Sequence, residues 1–128
     1  MTSITDEKYV SFTTFRRNGA PVASPVWIAD LGDGTVGFTT QVDSGKVKRL
    51  GIDTQVEMRA CDARGRVADD ATTYLGSGTV VEGEALAKVE GAIGAKYGVQ
   101  FRLLDLWNKV RGQADKRRGI VVTVDATA

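Results

Sequence analysis

Lys8-Tyr9-Val10-Ser11-Phe12-Thr13-Thr14-Phe15-Arg16 is dense in aromatic and β-branched residues, and Asn18-Gly19 follows almost at once. The run has the composition of a strand, and the dipeptide readily takes the positive φ angles of a tight hairpin turn. Residues 21–29 then alternate Val22, Ser24, Val26 and Ile28 on one face with Ala23, Pro25, Trp27 and Ala29 on the other. Pro25 has no N–H to give to a ladder, so this strand is expected to be interrupted, bulged or at a sheet edge there. Asp30-Leu31-Gly32-Asp33-Gly34 is a second turn, and residues 35–40 form a third strand. The first forty residues therefore predict an antiparallel meander.

Working outward, the period changes at Ser44-Gly45-Lys46-Val47-Lys48-Arg49-Leu50. Ser44 is placed as an N-cap, and Val47 and Leu50 stand three apart on one buried helical face. Gly51 and Asp53 keep this helix short. Residues 55–60 return to strand character, 62–73 are polar and read as a loop, and 74–84 form a long strand. Gly76 and Gly78 inside that strand predict a bulge or strong bend. Leu86, Val89, Ile93 and Tyr97 are spaced as a helix that Gly98 stops. Leu103, Leu106, Trp107 and Val110 suggest a second helix, and residues 119–124 a final strand. Six antiparallel strands, a short helix and a helical pair before the last strand predict a single domain over 1–128, mainly β, a small barrel with helices at its flank. Strands arrive in runs joined by turns, which excludes a helix bundle and a parallel α/β sheet.

Composition narrows the chemistry. The chain has 128 residues, 17 Lys+Arg against 16 Asp+Glu, no histidine and one cysteine, Cys61. Without histidine there is no Ser-His-Asp triad, no His-based metal site and no imidazole proton shuttle. One cysteine excludes an internal disulfide and a Cys-x-x-Cys redox pair. An enzyme of this composition is expected to rely on a bound cofactor, with no metal. Near-neutral charge argues against a nucleic-acid partner. No apolar run approaches the length of a membrane span, and the polar N-terminus is unlike a signal peptide, so a cytoplasmic location is expected.

The segment from Ser24 to Leu50 carries the candidate site. A helix N-terminus presents unpaired N–H groups that favour anions, Ser44 adds a hydroxyl, and Lys46 and Arg49 share a helical face. A phosphate beside Thr40, Ser44 and Lys46 would meet donors and cations together. The plain alternative is a solvated helix whose Ser44 is only a cap. Tyr74 and Tyr97 are conceivable proton donors, with core or interface roles as the alternative, and Cys61 reads as a small buried hydrophobe.

Strand–Ser24-Pro25-Val26-Trp27–turn–Gly37-Phe38-Thr39-Thr40–Ser44-x-Lys46-x-Lys48-x-Leu50 resembles the flavin and deazaflavin oxidoreductases of the split β-barrel type, the relatives of pyridoxamine 5′-phosphate oxidase. Ser44-Gly45-Lys46-Val47-Lys48-Arg49 and Arg102-Leu103-Leu104-Asp105-Leu106-Trp107 resemble the small actinobacterial branch that uses coenzyme F420. The resemblance spans residues 8–124. It implies a six-stranded split barrel of the FMN-binding type, with a ring and linker bound along Ser24, Pro25, Val26 and Trp27. Thr39 and Thr40 fall near the linker and phosphate, and Ser44 and Lys46 on the phosphate. Arg49 joins them through the face it shares with Lys46.

One departure is plain: the oxidases have Ser-Arg-Lys where this chain has Ser44-Gly45-Lys46, so one phosphate-binding cation is missing. Their basic, histidine-containing C-terminal segment is also absent, so oxidation of pyridoxamine phosphate is not implied. The anionic tail of F420 could lie along Arg16, Arg17, Arg59, Arg64 and Arg66, whose alternative is scattered surface charge. The resemblance also implies a homodimer with cofactor sites between subunits. The expected activity is reduction of a small electron-poor molecule by reduced F420. An FMN-dependent oxidoreductase and a non-catalytic F420 carrier are the alternatives, and an OB-type nucleic-acid module finds only faint support in Tyr9, Phe12, Phe15 and Arg16. No catalytic residue and no particular substrate is singled out.

Overall fold

The computed structural model describes Ile4, residues 7–98 and residues 117–127. Its strands β1 (Tyr9–Phe15) and β2 (Pro21–Val26) are joined by the expected hairpin. Within this turn only Gly19 takes a positive φ, +87°, because the turn spreads over three residues rather than two. Arg16 N–H donates to the Ala20 carbonyl, and Asn18 Oδ1 accepts from Ala20 N–H. The chain continues through β3 (Ala29–Asp30), β4 (Thr35–Gln41), α1 (Gly45–Leu50), β5 (Gln55–Cys61), β6 (Tyr74–Val81), α2 (Gly83–Tyr97) and β7 (Arg117–Thr127).

The strands form one antiparallel sheet in the order β2-β1-β5-β6-β7-β4-β3. Its two end strands, β2 and β3, are separated in sequence by Trp27 and Ile28 alone. Two residues span less than about 11 Å, so the sheet must curl until its ends meet. The result is a barrel split at the β2/β3 seam. Among the described residues seven strands stand where six were expected, because the predicted strand 21–29 breaks at Trp27-Ile28 and contributes to both ends. Pro25 lies on the edge strand, where no neighbour needs its missing N–H.

Alternation builds the interior. Val10, Phe12 and Thr14 face inward from β1, with Val56 and Met58 from β5 and Ile120 and Val122 from β7, all fully buried. Phe12 meets Phe38 edge to face at 4.7 Å between ring centres, a geometry aromatic pairs prefer. The expected irregularity in β6 is a register shift at Leu75/Gly76 against β7. A Cβ at Gly76 would collide with the Thr123 carbonyl oxygen, so only glycine fits there. At Gly78 a Cβ would touch Leu50 at 3.2 Å, which shows how closely the last residue of α1 plugs the barrel.

Predicted strand 74–84 stops at Val81, and Gly83, at φ +65°, turns the chain into α2. Val89 and Ile93 of α2 are buried; Val89 packs over Gly37 of β4 and Gly119 of β7, on the outside of the barrel. β7 is longer than the predicted 119–124 because it is paired on both sides, with β4 and β6. The second predicted helix, with Leu103 to Val110, lies outside the described residues. No helix among the described residues is long and apolar enough to cross a membrane.

Candidate functional site

A cavity of about 430 Å³ opens beside the seam, where the end of β2, the end of β4, α1 and α2 converge. Six residues singled out in the sequence line it together: Pro25, Val26, Trp27, Thr39, Thr40 and Lys46. They arrive on separate elements. β2 brings the first two, the seam brings Trp27, β4 brings the threonines and α1 brings the lysine. Tyr9, Gln41, Ala63, Ile93 and Arg117 complete the lining and were not read from the sequence. Tyr9 had a signal, an aromatic on the first strand, whereas Arg117 joins only through the β4/β7 pairing, where it stands opposite Gln41.

The apolar wall is fixed by a stack. The Trp27 ring lies on Tyr97 at 4.8 Å and 14°, and Tyr9 meets its edge at 6.4 Å. Tyr97 is in turn held by its hydroxyl, which lies within donating distance of the carbonyls of Lys8 (2.8 Å) and Ile28 (2.9 Å). Lys96 Nζ also donates to the Ile28 carbonyl, at 2.8 Å. Burial pushes the Tyr97 phenol up to about 12. A phenol held neutral and tied to backbone carbonyls pins this wall in place. Behind the cavity Arg117, 4% exposed, donates to Glu90 at 2.8 Å.

The polar end is cationic. Burial, and then the nearby Arg49 charge, hold the Lys46 ammonium below its usual range. Arg49 is likewise lowered by burial and by Arg16 beyond it. Lys46, Arg49 and Arg16 thus lie within electrostatic reach in sequence, and none forms an ion pair with a carboxylate among the described residues. Arg49 Nε donates to the buried Thr14 hydroxyl at 2.6 Å. Ser44 caps α1, accepting from Val47 N–H at 3.3 Å.

Of the expected residues, Ser24, Ser44, Arg49 and Arg59 lie outside the cavity lining, Ser44 and Arg49 next to Lys46 on α1. Ser24 stands opposite Phe12 and shares its inward face. Arg59 is exposed; its Nε donates to Thr73 at 2.7 Å, and it lines a separate depression with residues 67–73. It stands opposite Ser11, which stands opposite Pro25, so it lies two strands, roughly 10 Å, from the cavity wall on the same face. Arg66 is taken up by Asp62 at 2.7 Å. The loop that Asp62 organises sets Gly65 against Pro25, where a Cβ would lie 3.5 Å from the proline ring. Cys61 is partly buried, and burial pushes its thiol up.

An apolar stacking wall that passes into a cationic end with no carboxylate partner among the described residues suits a molecule with a flat ring and an anionic linker. Residues 2–128 match the family described as Pyridoxamine 5′-phosphate oxidase, and the chain belongs to it. No curated protein matches the chain. Among solved structures it is similar to a conserved hypothetical protein from Mycobacterium tuberculosis, at 22% identity and TM-score 0.72, covering 97% of this chain and 77% of that one. It is similar to the heme storage protein HutZ from Vibrio cholerae at 14% identity and TM-score 0.70, covering 94% and 84%. An F420 reductase matches at 17% identity and TM-score 0.61, covering 98% and 93%. At these identities the likeness establishes the split barrel.

Proposed function

We propose that the chain is a cytoplasmic F420H2-dependent reductase, active as a homodimer on a small electron-poor organic acceptor. The observation that carries this reading is the meeting of the Pro25-Val26-Trp27 wall, Thr39, Thr40 and Lys46 in one cavity. Its volume falls within the roughly 300–1,000 Å³ of small-molecule sites, and its residues fit a deazaflavin or flavin. The Ser24 to Trp27 segment would flank the ring, with Thr39 and Thr40 at the linker and Ser44, Lys46 and Arg49 at the phosphate. An acidic tail continuing past Pro25 would meet Arg59, two strands away on the same face, and Arg64, next to the Gly65 that packs on Pro25. When bound, the reduced deazaflavin supplies the hydride. The protein's part is to hold the ring against Trp27, exclude water from that wall and neutralise the linker. A partner subunit would close the open side of the cavity, and a monomeric mass by light scattering would overturn that part.

The engagement of Arg66 by Asp62 and of Arg59 by Thr73 favours a second reading, FMN, whose tail ends at its phosphate. Fluorescence titration with F420 and, separately, FMN decides between them. Tight F420 binding with little FMN affinity supports the first reading, and the reverse supports the second. Binding of F420 without turnover of any acceptor in a broad panel identifies a carrier.

A further inference from the structure

Next to Lys46, just beyond the cavity lining, α1 carries an arrangement that the lining residues alone do not explain. Thr14 is fully buried on the inner face of β1, an unusual place for a hydroxyl among Val10, Phe12 and Met58. Its partner is not a neighbouring strand but Arg49 Nε, 35 residues away, at 2.6 Å. The same guanidinium lies over Gly45. A Cβ at Gly45 would come within 2.5 Å of Nη1 and 3.2 Å of the central carbon, so any side chain there would take the space that Arg49 fills. Gly45 has no conformational reason to be glycine, since its φ is not among the positive ones.

We propose that Thr14 and Gly45 are positioning residues that aim the Arg49 guanidinium at the anion-binding end of the cavity beside Lys46. This rests on the reading of that end as a phosphate site. Arginine has many rotamers to lose, and an unanchored Arg49 would swing away from Lys46, because like charges three residues apart on a helix repel. The bond from Nε fixes the plane of the guanidinium and leaves the Nη1 and Nη2 hydrogens to face a ligand as a fork. Gly45 clears the room for that plane. Two cations are then held together without a carboxylate partner among the described residues, an arrangement that an anion stabilises. Arg16, whose charge reaches Arg49, extends the same field outward.

Binding of inorganic phosphate, followed by ³¹P line broadening and by thermal shift, tests this without any cofactor. Thr14→Val keeps the side-chain volume and deletes the acceptor, Thr14→Ser keeps the acceptor, and Gly45→Ala fills the space while leaving α1 exposed as before. Charge-assisted hydrogen bonds of this kind correspond to about a tenfold or greater change in affinity. Thr14→Val and Gly45→Ala are each expected to weaken phosphate about tenfold, Thr14→Ser to restore it, and Thr14→Val to add nothing in an Arg49→Gln background. Wild-type affinity in both Thr14→Val and Gly45→Ala, additive losses with Arg49→Gln, or no phosphate binding by the wild type would overturn the proposal. If Thr14→Val does not fold, Gly45→Ala, which perturbs only the far end of a flexible side chain, decides alone. Phosphate binding that responds to these variants in a protein that takes up neither F420 nor FMN would sustain the positioning and refute the cofactor reading.

Discussion

Removing one oxygen atom, by Tyr97→Phe, tests how the wall of the cavity is held. The hydroxyl faces the carbonyls of Lys8 and Ile28 at 2.8 and 2.9 Å, while the ring stays stacked on Trp27 in the variant. Loss of a partly buried hydrogen bond of this kind costs about 1–2 kcal/mol. A chain of 128 residues unfolds with an entropy near 0.27 kcal/mol/K, so Tm should fall by roughly 4–7 °C.

The pH dependence gives an independent handle on the same atom. The folded phenol is raised by burial from 10 to about 12, so the folded state holds this proton more tightly than the unfolded chain does. Its contribution is complete below pH 10 and disappears as pH rises through about 12. A shift of that size corresponds to about 2.7 kcal/mol for a fully buried group, and solvent screening at this partly exposed hydroxyl reduces it to roughly 1 kcal/mol. Urea unfolding at pH 8 and pH 11, followed by circular dichroism, should show the gap between wild type and variant shrinking by roughly half. Equal stabilities at pH 8, or a gap that does not change at pH 11, would refute the role of the hydroxyl as a pin.

Gly76→Ala should destabilise by about 3 kcal/mol or more, read by denaturant unfolding, because its methyl group meets the Thr123 carbonyl oxygen and neither strand can retreat. Lys46→Gln should weaken phosphate-bearing cofactor about tenfold and leave its phosphate-free analogue unchanged, in fluorescence titrations; equal losses for both would move the phosphate elsewhere. Neutralising Arg59 and Arg64 together should weaken long-tailed F420 more than short-tailed F420, and equal weakening would remove these arginines from the tail path.

What the sequence made legible follows the range over which each signal acts. The β1/β2 hairpin, the Ser44 cap and the α2 stripe of Val89 and Ile93 are set by neighbours within a few residues, and periodicity with turn chemistry reads them. Pro25 on an edge and the irregularity at Gly76 are local backbone constraints, also readable. The break at Trp27-Ile28 was not, because residues 21–29 alternate without interruption and only barrel closure divides them. In the cavity, the residues found from the sequence lie on the contiguous stretch from β2 to α1. Arg117 and the Thr14 partner of Arg49 depend on pairings across 76 and 35 positions, Gln41 with Arg117 and Thr14 with Arg49, that no local pattern encodes.

The seam explains why the site is where it is. A sheet that curls until β2 and β3 meet, without pairing them, leaves backbone groups at the junction in need of partners. The Ile28 carbonyl, at that junction, takes its hydrogen bonds from Tyr97 and Lys96 of α2 instead of from a strand. Supplying those bonds brings the Tyr97 ring under Trp27 and makes a flat apolar wall out of an unpaired sheet end. Strand β4 pairs with β3 at the other end of the sheet and leads within three residues to the Ser44 cap and α1, so the cations arrive beside the same opening. The solution to an unpaired barrel edge and the construction of a ring-and-phosphate cavity are thus one arrangement. Disrupting Tyr97 should therefore loosen the wall before it unfolds the barrel.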